Sequence, residues 1–168
     1  MSSPRSSPHP TAPASEARLR DYLEGEQALL ELKCCAPKKL SVLIHDLSRP
    51  MSRTLEQALA RSLAAGEIPG FWPSDTLMPP MMQRFGLTPA VLAKDPAIHA
   101  LRTTCNTCSK AGTCWLALRH QASRAECRDF CPNAEAFERR APPAGSDASG
   151  QARAHQCGNC GTPSVRCT

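Results

Sequence analysis

The chain is predicted to be all-α on three observations. Apolar residues recur at helical spacing, as in Leu55, Ala58, Leu59 and Leu63. No segment alternates with period two for long. Helix start and stop signals punctuate the sequence, among them Ser52 before one apolar run, Gly66 after it, Thr88-Pro89 and Asp95-Pro96. Five of the ten cysteines fall between residues 105 and 131. Together these predict a small helical domain organised around a four-cysteine metal site, with disordered N- and C-terminal tails.

The elements follow in order. Residues 1–14 are Ser/Pro-rich and predict a disordered tail. Residues 15–66 form a helical N-terminal region. Its first helix spans Ser15 to Cys35, with Ser15 as N-cap, Pro37 as stop, and Leu19, Tyr22, Leu23, Leu29, Leu30 and Lys33 as an imperfect stripe. Leu40 to Leu47 is a short apolar segment, one to two helical turns or a short strand. Ser52 to Ala65 is a stronger helix, capped by Ser52 and ended by Gly66. Residues 67–77 read as a Pro/Gly-rich linker and a subdomain boundary, with Phe71 and Trp72 as anchors to a core or a partner.

Residues 78–140 form the four-cysteine helical domain. Met81, Met82 and Phe85 precede Gly86, a helix stop. Thr88-Pro89 and Asp95-Pro96 each open a helix, the second carrying Ile98 and Leu101 toward the first cysteines. Thr113 is expected to cap a helix from Cys114 to His120, and Asn133 a last helix containing Ala134, Ala136 and Phe137. Residues 141–168 predict a disordered, cysteine-containing tail.

Composition bounds the function. Aromatic residues make up only 4% of the chain, so the core must rest on Leu, Ala, Met and Val. The net charge of +5 is compatible with nucleic acid or an acidic partner but demands neither. A protein partner is expected, nucleic acid is the alternative, and the oligomeric state is not legible. The first residues lack the apolar stretch of a secretory signal, and no run of about 18 apolar residues occurs. The expectation is a cytoplasmic protein without a membrane span, whose thiols stay reduced. No phosphate loop, dinucleotide fingerprint, metalloprotease helix or nucleophile elbow is present, so an enzyme is not expected.

The cysteines are spaced Cys105-x-x-Cys108-x5-Cys114-x12-Cys127-x3-Cys131. A C-x-x-C pair brings two thiolates to one ion, and a third needs only a short loop, here SKAGT with Gly112. Cys131, at the start of a helix, is the expected fourth ligand. Cys127, one helical turn earlier, is the alternate ligand, a resolving thiol or a buried residue. Cys114 and Cys131 at helix N-termini would have lowered thiol pKa values. Arg102, Lys110, Arg119, Arg124 and Arg128 lie near enough in sequence to offset the thiolates. Four-Cys sites hold zinc or an iron–sulfur cluster. The apolar CWLAL helix and the Cys-Pro favour an iron–sulfur cluster in a redox-sensing, regulatory or accessory module. A structural zinc adaptor and a thiol redox switch on Cys127 and Cys131 are the alternatives.

The run LMPPMMQRFGL, then CNTC, CWLAL and FCPNAEAF, resembles a small, uncharacterised proteobacterial domain-of-unknown-function family. That family has a Met-rich helix ending in R-x-G-[LV], then C-x-x-C, C-x-W-L and F-C-P-N-x-x-x-F. The likeness covers about residues 77–140. Here Cys114-Trp115-Leu116 lacks the intervening residue, and Cys127 is additional. The resemblance implies Cys105, Cys108, Cys114 and Cys131 as the site and implies no activity. The C-x-x-C-x5-C segment is also similar to WhiB-type iron–sulfur regulators. Their remaining ligand lies upstream; here it lies downstream, unless Cys34 or Cys35 supplies it.

The tail HQCGNCGTPSVRCT offers a second, weaker metal site through His155, Cys157, Cys160 and Cys167. Cys34-Cys35 reads as small apolar residues packed under a helix end. His45 and His99 read as core-edge or surface residues, and Met78, Met81 and Met82 as packing.

Overall fold

The computed structural model describes residues 12–141. Every regular element among them is helical. The first helix, α1, runs Ala12–Cys35 and so begins upstream of Ser15, the expected cap. Pro37 does not merely stop α1: it occupies the first turn of α2, Pro37–His45, where its missing N–H costs nothing. The apolar segment around Leu40 is therefore helix, burying Leu40, Leu43 and Ile44.

The third helix, α3, runs Arg53–Ala64, with the Ser52 hydroxyl accepting from Leu55 N–H and Gly66 at φ +69° beyond its end. It buries Ala58, Leu59, Ala60 and Leu63. The stripe predicted on α1 meets it only in part. Leu29 is buried, whereas Leu19, Tyr22, Leu23 and Leu30 are exposed. Gly25 fixes that choice of face, because a Cβ there would lie 2.3 Å from the Thr54 carbonyl oxygen. The two helices cross where no side chain stands between them.

Residues 67–77, expected to separate two regions, instead carry the core through. Phe71 packs against the core, and α4, Pro73–Thr76, follows directly. Leu77 and Met78 are buried, and one cluster of buried residues extends from Leu29 to Phe137. The first turn of α4 is held from a later helix: the Asn106 side-chain oxygen accepts from Ser74 N–H at 2.8 Å, and Arg102 pairs with Asp75. Trp72, beside it, is exposed.

Helix α5, Met78–Arg84, buries Met78, Met81 and Met82, in agreement with a packing role. Gly86 at φ +77° closes it, with Gly86 and Leu87 N–H donating to the carbonyls of Gln83 and Met82. The short α6, Pro89–Leu92, follows Thr88 as expected, whereas α7, Ile98–Asn106, starts after Ala97 rather than at Asp95-Pro96. Asp95 accepts from Ala97 N–H and also pairs with Arg140, tying this turn to the end of the described residues.

Helix α8 spans Ala111–Arg119, not Cys114–His120, so Thr113 lies inside it rather than capping it. The remaining helices are α9, Arg124–Arg128, and α10, Ala134–Glu138. A capping box between Ser123 and Glu126 starts α9, a helix the spacing of apolar residues did not predict. Asn133 precedes α10, but its amide is spent elsewhere: Nδ2 donates to the buried Leu101 carbonyl at 2.9 Å. No helix among the described residues is long and apolar enough to cross a membrane.

Two long-range locks join the halves. Trp115 is fully buried and its indole N–H donates to the Ile44 carbonyl at 2.9 Å. Arg119 donates to Glu56 and to the carbonyls of Leu47 and Arg49, and its guanidinium lies 4.7 Å from the Trp115 ring centre.

Candidate metal centre

Cys105 lies in the last turn of α7, and Cys108 on the turn that follows. That turn is built by Cys108 N–H donating to the Cys105 carbonyl and Ala111 N–H to the Cys108 carbonyl. Cys114 lies one turn into α8. Cys131 follows α9, its N–H donating to the Cys127 carbonyl at 3.0 Å. All four thiols line one small cavity of about 20 Å³. Its walls are otherwise mostly apolar, with Leu77, Met78, Met81, Phe130 and Phe137 contributed by α4–α5 and by the segment from α9 to α10.

Cys127 does not line this cavity. It is fully buried on the other side of its turn, with its sulfur facing the Ala122 carbonyl. The spacing left Cys127 and Cys131 as competitors for the fourth place. The structure places Cys131 with Cys105, Cys108 and Cys114.

The lining is a set of sulfurs around a space, not a closed cage. Among the described residues no three His, Cys, Asp or Glu side chains are gathered tightly enough to hold a metal ion. A zinc ion needs four sulfurs drawn to about 2.3 Å from one point, and a cluster needs them turned outward around a wider body. The volume is little more than one water requires. The donor chemistry fits a thiophilic metal or cluster, since sulfurs are the only strong ligand atoms in the wall.

The electrostatics differ from the expectation in a specific way. Burial pushes the Cys105 thiol up to about 12, and nearby Cys131 and Cys108 add to the rise. Burial raises Cys114 as well, and nearby Cys131, Cys105 and Cys108 add to the rise, with its own N–H donated to the Lys110 carbonyl. Cys131 is also raised by burial, although backbone N–H groups of Asn133 and Ala134 donate toward its sulfur and offset part of the effect. The lowered pKa values expected at helix N-termini are thus overturned at both Cys114 and Cys131, the backbone N–H groups at Cys131 offsetting only part of the rise.

The expected ring of basic residues also dissolves. Arg119 is engaged with Glu56, Arg102 with Asp75, and Arg124 and Arg128 with Glu138. Lys110 alone among them reaches the cavity, and its backbone N–H donates to Cys108 Sγ at 3.3 Å. The SKAGT segment is not a loop throughout. Ala111, Gly112 and Thr113 belong to α8, and a Cβ on Gly112 would lie 1.9 Å from the Ala60 carbonyl oxygen. Gly112 is there for a helix crossing, and this crossing sets where Cys114 stands.

Cys34 and Cys35 are both exposed, against the expectation of packing under α1. His45 and His99 are exposed, as expected. His155, Cys157, Cys160 and Cys167 lie outside the described residues. No protein-family model, no curated protein and no solved structure matches the chain.

Proposed function

We propose that the protein is a four-thiolate metal module, holding an iron–sulfur cluster through Cys105, Cys108, Cys114 and Cys131 in a redox-sensing, regulatory or accessory role. The observation that carries this reading is the single apolar cavity lined by all four sulfurs. Leu, Met and Phe walls exclude water and keep the local dielectric low, which suits a group sensitive to water and oxygen. The bound group would supply electron-transfer or oxidant-responsive chemistry. The chain's own residues provide the sulfur ligands, an N–H donor on Cys108 from Lys110, and donors on Cys131 from Asn133 and Ala134.

The core supports a cluster over structural zinc. Domains that depend on zinc to fold lack a sufficient core. Here Trp115, Phe85, Phe137 and Leu59 are essentially inaccessible to solvent and join both halves. Removing the metal is therefore expected to leave most of the far-UV helical signal in place. A collapse of that signal on chelation would transfer the reading to a zinc-dependent adaptor.

Metal content and visible absorption test the proposal directly. Protein expressed with ample iron and purified without oxygen is expected to be brown, with iron and acid-labile sulfide. Cys114→Ala and Cys131→Ala are each expected to lose the colour, and Cys127→Ala to keep it. Colourless wild-type protein with one zinc would point to a structural site, and protein with neither metal would end the metal reading. Because much of the arginine is held in ion pairs with the protein's own carboxylates, a protein partner is favoured over nucleic acid.

A further inference from the structure

The four sulfurs are not equivalent. Cys105, Cys114 and Cys131 pack against the hydrophobic core. Cys108 sits on the turn between α7 and α8, flanked by exposed Thr107, Ser109 and Lys110. It is also the only one of the four that lines a second space, an open groove of about 330 Å³ outside the cavity. The groove runs from the end of α3 to the α7–α8 turn, past Leu63, Ala65, Phe71, Thr107 and Ser109, and no residue lining it is charged.

We infer that Cys108 is the exchangeable ligand of the site: it leaves first, and a small neutral thiol entering through the groove takes its place. The inference rests on the four-thiolate reading above. Its physical basis is the difference in constraint. Moving Cys105, Cys114 or Cys131 away from a bound group means disturbing packing against the core. Moving Cys108 means rotating a side chain on a turn and giving up one N–H···S contact. The groove's volume is that of a small-molecule site, and its neutral wall places no charge penalty on an uncharged thiol.

The step is a ligand substitution without electron transfer. The incoming thiol's sulfur bonds to the metal and its proton goes to solvent. The bond from the metal to Cys108 Sγ breaks, and that thiolate takes up a proton. An oxidant or chelator approaching by the same route would meet Cys108 first.

The test is chemical rescue. The Cys105→Ala, Cys108→Ala, Cys114→Ala and Cys131→Ala proteins are loaded with iron and sulfide without oxygen, with and without 2-mercaptoethanol. Bound iron and visible absorption are then measured. The thiol is expected to raise bound iron in Cys108→Ala by about ten-fold and in the other three by less than about two-fold. Equal rescue at all four positions, or rescue at another position only, would overturn the inference. So would failure of rescue at Cys108 while wild type is loaded. Wild-type protein that takes up no metal would instead strike the reading beneath it.

Alkylation of loaded wild-type protein gives a second readout that needs no variant to fold. With iodoacetamide and peptide mapping, Cys108 is expected to be the first of the four modified, in step with loss of absorption. Earlier modification of Cys105, Cys114 or Cys131 contradicts the assignment.

Discussion

Glu56→Ala is expected to destabilise the fold by about 3–5 kcal/mol, the largest effect of any single charged residue in the structure. Glu56 lies in the first turn of α3 and is buried although charged. Its two carboxylate oxygens accept from Arg119 Nε at 2.6 Å and contact His120 Nε2 at 2.9 Å. Arg119 is itself buried, with its side chain 7% exposed. Removing the carboxylate leaves a guanidinium in the interior whose charge is no longer balanced, although its remaining N–H groups still reach the carbonyls of Leu47 and Arg49. Glu56→Gln keeps an acceptor but not the charge, and should fall between Ala and wild type. Urea denaturation measures this, through a lowered midpoint at unchanged slope. A loss within about 0.5 kcal/mol for Glu56→Ala would show that the pair is not a lock between α3 and α8.

Gly112→Ala comes next, and it links stability to the cysteine site. The new Cβ would stand 1.9 Å from the Ala60 carbonyl oxygen and 2.8 Å from its carbon. Both are backbone atoms in the middle of α3, so no rotamer change relieves the contact. The helices must part, at a cost of about 3 kcal/mol. Alanine's better helix propensity returns about 1 kcal/mol, leaving a net loss of about 2 kcal/mol. Because Cys114 lies two residues farther along α8, the displacement also moves one of the four cavity sulfurs. Gly112→Ala is therefore expected to hold less metal than wild type even at temperatures where it is fully folded. Circular dichroism and metal content, measured on the same sample, separate the two effects. A variant as stable as wild type, with full metal, would mean that α8 and α3 do not cross so closely.

Much of the architecture was legible because its signals are local. Ser52, Pro89, Gly66 and Gly86 each act on the backbone within a few residues. Ser123-x-x-Glu126 is equally local, and the α9 capping box could have been found from it. The errors fall where local chemistry was given a role that a distant partner had already taken. Asn133 has the chemistry of an N-cap, but its amide goes to Leu101. Arg119 is near the cysteines in sequence, yet it points to α3 and the loop before it. Gly112 reads as a loop glycine until Ala60 is seen beneath it. The α1 stripe was read from apolar spacing, whereas the face that packs is the one where Gly25 permits approach to Thr54.

By itself, the sequence determined that the chain is helical, where most helices start and stop, and that sulfur would gather between residues 105 and 131. Those features depend on backbone propensity, capping and spacing, which operate over a few residues. Only the tertiary structure decided that Cys131 rather than Cys127 joins the other three, that Cys108 alone of the four also lines an outer groove, and that residues 67–77 carry one core through rather than divide two. Each of these depends on which side of a helix meets a surface far away in sequence, and packing against that surface is what selects the side.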